Sequence, residues 1–108
     1  MSKYLLIESR DPHESGDVAR FYDLARQLTA GGQDVTLLLL QNAVLAARRG
    51  YTLASLPRSE KGFRVLADDF SLRERGISHA HLQAGIEVVD ADRTVDLIME
   101  DDRRVIWH

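Results

Sequence analysis

A chain of 108 residues, 44% hydrophobic and 29% charged, fits one domain and has the makeup of an ordinary globular protein. Its formal net charge of -3 lacks the basic excess of a nucleic-acid binder. The absence of cysteine excludes disulfides, thiolate metal sites, cysteine nucleophiles and persulfide chemistry within this chain.

Tyr4 to Ile7 is a short apolar run that stops at Glu8-Ser9-Arg10-Asp11-Pro12, the pattern of a strand buried on both faces. It is too short for a signal-peptide core or a membrane span, so a cytoplasmic, membrane-free protein is expected. Ser15-Gly16-Asp17 reads as a helix start, with Ser15 as cap and Asp17 at the positive end of the dipole. Val18, Phe21, Tyr22, Ala25 and Leu28 recur at helical spacing, and Gly31-Gly32 ends the helix. Val35 to Leu40 is a second buried strand, so the opening forms a βαβ unit and a parallel sheet.

A short helix over Asn42 to Arg49 follows, capped by Asn42 and closed by Gly50. Tyr51 to Gly62, with Pro57, Ser59 and Gly62, reads as a surface loop with room for one helical turn. Phe63 to Ala67 is a third strand ending at Asp68-Asp69, and Ser71 to Arg75 a short helix stopped by Gly76. Gly85 to Val89 is a fourth strand. Thr94 to Glu100 is a helix expected to turn Val95, Ile98 and Met99 inward, and Arg104 to Trp107 is a last strand. The alternation implies an α/β fold with helices on both faces of the sheet. The pairs Arg48-Arg49 and Arg103-Arg104, at a helix end and a strand start, read as solvated charge.

In open parallel sheets, ligands sit beyond the carboxyl ends of the strands. Glu8, Asp11 and His13 follow the first strand, Asn42 the second, and Asp68 and Asp69 the third. These six are the candidate ligand-binding residues, and the carboxylates Glu8, Asp11, Asp68 and Asp69 are of the type that holds hard cations. The same acids can also end strands merely because the chain leaves the core there. Acid–base catalysis by them needs at least one raised pKa. A receiver-like phosphorylation site at Asp68 lacks its lysine, since the only lysines are Lys3 and Lys61. His79-Ala80-His81 places two imidazoles on one face if extended, but supplies no third metal ligand. Asp11-Pro12-His13-Glu14-Ser15-Gly16 matches no phosphate-binding glycine motif, and neither Ser71 nor Ser78 sits in a nucleophile elbow. No metal, cofactor or catalytic residue is assigned.

Lys3 to Ile7, the first helix, Gly31 to Leu40, Phe63 to Ile77 with its closing Arg75-Gly76-Ile77, Gly85 to Val89 and Asp101 to Trp107 together resemble the DsrE/DsrF-like sulfur-relay family. The likeness spans nearly the whole chain and rests on the order and spacing of individually weak motifs. It implies a single DsrE-like domain over residues 1–108, a three-layer α/β/α fold with a mainly parallel five-stranded sheet. In sulfur-carrying members a cysteine stands at the end of the third strand, several residues before the Arg-Gly pair. The equivalent position here is Asp68, or Asp69 if the alignment slips by one, and some members' second cysteine falls at Ser71. A carboxylate therefore replaces the thiol, and the carrier role does not transfer. The ending Val105-Ile106-Trp107 resembles the DsrH/TusB branch, which implies a non-catalytic companion subunit with Trp107 as an interface anchor or as a seal on the sheet edge. The resemblance implies partners of two kinds, a homo-oligomer (trimer or hexamer) or a hetero-oligomer with other sulfur-relay chains. The competing reading is a small-ligand or metal module built on the acidic group.

Overall fold

The computed structural model describes residues 2–51, 56–100 and 102–108. Five parallel strands form one sheet: β1 (Lys3–Glu8), β2 (Asp34–Leu39), β3 (Phe63–Asp68), β4 (Ile86–Val89) and β5 (Arg103–Trp107), in the order β4-β3-β2-β1-β5. The unalternated apolar runs are explained by coverage of both faces. Leu6, Leu37, Leu39, Val65 and Ala67 face one core cluster, and Leu5, Ile7, Leu38 and Leu66 face the other.

The first cluster is closed by α1 (Asp17–Ala30), through Val18, Phe21, Tyr22 and Ala25, together with Ala43, Val44, Ala47 and Leu72. The second is closed by α3 (Ala91–Met99), chiefly through Leu97, with Ile98 beside it. The expected α/β architecture with helices on both faces is therefore present, as an all-parallel five-stranded sheet. Coverage is unequal: α1, a 3₁₀ helix (Gln41–Ala47) and α2 (Asp69–Glu74) lie on or around one side, and α3 serves the other.

Several local expectations are corrected. Gly16, not Ser15, occupies the cap position of α1, although the Ser15 hydroxyl still accepts the Asp17 amide at 3.2 Å. The segment after β2 is a 3₁₀ helix led by Leu40, because Ala43, Val44, Ala46 and Ala47 are pressed into the core; Asn42 is not its cap. α2 starts at Asp69 because Asp68 caps it, and α3 starts at Ala91 because Asp90 accepts the Arg93 amide at 2.8 Å.

The inward face of α3 also differs. Thr94 and Leu97 are buried, while Val95 is 57% and Met99 72% exposed. Gly85 lies just outside β4 with φ +85°, a backbone that side chains rarely adopt. Residues 56–62 run as a loop that tucks Leu56 into the core, and residues 52–55 of the expected Tyr51 to Gly62 loop lie outside the described residues. Among the described residues no helix is long and apolar enough to cross a membrane.

Candidate functional site

The strand order places the topological switch between β1 and β5, since β1 leads through α1 to one neighbour and β5 arrives through α3 at the other. That is the crevice in which open α/β sheets receive ligands. Here the chain fills it. Glu8, fully buried at the end of β1, accepts hydrogen bonds at 2.8 and 2.9 Å from His108 Nδ1 and at 3.1 Å from the Arg10 amide. His108 stacks on Phe21 with ring centroids 5.2 Å apart, and its carbonyl accepts the Ser9 amide and hydroxyl at 3.2 and 3.0 Å.

Asp11 is spent elsewhere. Its carboxylate accepts the Tyr51 hydroxyl at 2.5 Å, and its amide donates to Glu14 Oε1 at 3.0 Å. His13 is exposed and meets the Tyr51 ring edge-on at 5.9 Å. The bond from the Asp11 amide, with help from the Asn42 side chain, holds the Glu14 carboxyl below its ordinary range.

Tyr22 is the unusual member of this region. It is 1% exposed, and its hydroxyl has no hydrogen-bond partner among the described residues. Burial pushes its pKa up, and the nearby charge of Glu8 adds to this. Tyr22→Phe is therefore expected to keep or raise stability, by up to about 1 kcal/mol, since it removes an unsatisfied buried group. The pH dependence has a definite sign. A tyrosine raised above its ordinary 10.0 stabilises fully below that value, and the contribution is lost as pH rises past it, because the unfolded chain ionises first. Denaturation midpoints at pH 8 and pH 10.5 should show a smaller alkaline loss in Tyr22→Phe than in the parent.

At the end of β3, Asp68 is 7% exposed and serves as the cap of α2. Its carboxylate accepts the Ser71 amide at 3.0 Å, the Ser71 hydroxyl at 2.7 Å and the Thr94 hydroxyl at 3.4 Å. Ser71 Oγ in turn accepts the amide of Gln41 at 2.8 Å. Gln41 has φ 52°, a strained value for a residue with a Cβ, and this bond helps to hold it. Asp69 pairs with Arg73 at 3.1 Å and with His79 at 3.0 Å. The two histidines are not on a strand: they sit in a 3₁₀ turn (His79–His81), and His81 Nδ1 meets Ser78 Oγ at 2.9 Å. Asn42 accepts Arg75 Nε and Nη2 at 3.0 and 2.8 Å.

The sequence-level candidates thus form separate pairs rather than one acidic pool. Among the described residues no three His, Asp or Glu side chains converge as a metal ion requires. Sequence reasoning missed His108, Tyr22, Tyr51 and Arg75. Arg75 was visible within its Arg-Gly pair, but the others act across distances that no local motif records.

Trp107 is 59% exposed on the outer strand β5. By register, Val105 and Trp107 align with Leu5 and Ile7 and so share the α3 side of the sheet. Val105 is 41% exposed, and with Val95, Met99 and Trp107 it leaves a series of large apolar groups in solvent. Phe70, 56% exposed, stands two residues after the Asp68 cap.

Solved structures that share this fold include the following two. The YchN protein of E. coli matches with a TM-score of 0.82 at 21% identity, and protein MTH1491 of Methanobacterium thermoautotrophicum with 0.70 at 19%, each over 100% of both chains. No curated protein matches the chain. A family model described as DsrH like protein matches residues 17–104, a span that holds Asp68, Ser71 and Arg75 and stops short of Trp107. On that match the chain belongs to the DsrH-like family, within the DsrE/DsrF/DsrH-like sulfur-relay superfamily.

Proposed function

We propose that this chain is a non-catalytic companion subunit of a cytoplasmic sulfur-relay assembly, a single DsrH-like domain that shapes or docks a complex while another chain carries the sulfur. The observation that carries this reading is the fate of Asp68. Where sulfur-carrying relatives are expected to hold a thiol, this chain holds a buried carboxylate bonded to Ser71 and Thr94. Such a group is a structural cap with no capacity for persulfide.

Two further features support docking over ligand binding. The switch-point crevice is occupied by Glu8 and His108, and large apolar side chains are left exposed on α3 and β5. Exposed apolar groups clustered on one side of a small protein favour a partner surface. Trp107 is the anchor we assign, because a large aromatic at a surface contributes most where a partner encloses it.

The test is native mass spectrometry of the protein purified gently from its own cells. A homo-oligomer, or a hetero-oligomer with a cysteine-bearing relative, is expected. Trp107→Ala should weaken that association by roughly thirtyfold, about 2 kcal/mol, while leaving the circular-dichroism spectrum unchanged. A monomer at every concentration tried would remove the companion-subunit reading.

A further inference from the structure

The arginine pair expected to be plain solvated charge lines a groove. A depression of about 340 Å³ is bounded by Arg48, Arg49, Arg75, Gly76, Ile77 and His81, so among the described residues three arginines and a histidine line it and no acidic residue does. This concentration of positive charge occurs in a chain whose net charge is -3. We propose that the groove is a binding site for a small tetrahedral oxyanion of the sulfate and phosphate class.

The guanidiniums are prearranged for this. Arg48 Nε donates to the Leu45 carbonyl at 2.8 Å, and Arg49 Nε to the Leu82 carbonyl at 3.2 Å. Those bonds hold each side chain by its inner nitrogen and leave the two terminal amino groups of each fork without a partner among the described residues. Arg20, Arg26, Arg73, Arg93 and Arg103 each pair with a carboxylate, whereas among the described residues neither Arg48 nor Arg49 does. Arg75 is fixed by Asn42 and by the Ser71 carbonyl at 3.1 Å, with Glu74 offsetting part of its charge at 3.8 Å. The anion therefore rests mainly on Arg48 and Arg49.

The walls are tied together as well. The Arg49 amide donates to the His81 carbonyl at 2.8 Å, and Arg48 pairs with Leu82 in an isolated antiparallel bridge. Gln83 Nε2 donates to the carbonyls of Ala46 and Arg48 at 2.8 and 3.2 Å, and the Arg48 guanidinium lies 5.7 Å from the Tyr51 ring centre. Ile77, 8% exposed, adds an apolar wall. Paired guanidinium forks suit the several oxygens of a tetrahedral anion better than a single monovalent ion. The site is independent of the subunit reading and stands or falls separately.

The experiment is an amide NMR titration of the full chain with sodium sulfate, phosphate and thiosulfate, at ionic strength held constant with sodium chloride. Saturable shifts centred on Arg48, Arg49, Gly76 and His81 are expected. The exposed-site variant Arg48→Gln/Arg49→Gln should keep the spectrum of a folded protein and weaken binding roughly tenfold or more. Shifts that chloride reproduces, or unchanged binding by the double variant, would overturn the site. Saturation by an acidic peptide but by none of the three salts would overturn it too.

Discussion

His108→Ala is expected to lower the free energy of unfolding by about 3 kcal/mol, because it strips from a fully buried carboxylate its one side-chain partner among the described residues. The backbone bonds from His108 to Ile7 and Ser9 survive the substitution, so the loss reports the imidazole alone. Part of it comes from the lost stacking on Phe21. For a chain of this length the total stability is on the order of 5–15 kcal/mol, and the variant should be visibly weakened in urea. Adding Glu8→Gln to His108→Ala should recover part of the loss, since a neutral amide costs less to leave unpaired inside the protein. A loss under about 1 kcal/mol for His108→Ala would show that the Glu8 carboxylate is not buried in solution as described.

Asp68→Ala is expected to cost about 3 kcal/mol, roughly 1 from the helix cap and the remainder from hydrogen bonds to a buried charge. The Ser71 and Thr94 hydroxyls would lose their acceptor, and Ser71 would hold Gln41 less firmly. Asp68→Asn keeps an acceptor oxygen in place and should lose less than Asp68→Ala, keeping the cap and the neutral share of those hydrogen bonds. Chemical denaturation of the two variants beside the parent distinguishes the cases. Equal losses would mean that the charge itself is required, which a cap alone does not need.

The first βαβ unit was legible because each cue in it is local. Tyr4 to Ile7 and Val35 to Leu40 are runs without polar alternation, broken only by Thr36, and the helix between them keeps its buried side chains at helical spacing. The third helix was misread in one respect for a physical reason. Its hydrophobic residues suggested an inward face through Val95 and Met99, yet the face that meets the sheet carries Thr94, whose hydroxyl reaches Asp68. A buried threonine with a distant partner leaves no hydrophobic signal.

The site divided in the same way. Asp68 could be picked out from its place at a strand end, while its work as a cap depended on Ser71 three residues on. Glu8 could be marked as a strand-end acid, but its partner lies 100 residues away. The arginine groove needed the bridge between Arg48 and Leu82 before its charges stood together. From the sequence alone Arg48-Arg49 reads as solvated charge, because nothing local sets Arg75 and His81 beside it.

The sheet order has a consequence for how the chain acquires its shape. β5 joins β1, so the last strand completes a sheet begun by the first, at a sequence separation close to the whole length of the chain. Until residues 103–107 arrive, β1 presents an unpaired edge open to the strands of other chains. Loop closure over so long a span is slow relative to forming the local β1-α1-β2 unit. On this contact order the β1-α1-β2 unit is expected to form first, and the β1 edge is covered only once β5 docks.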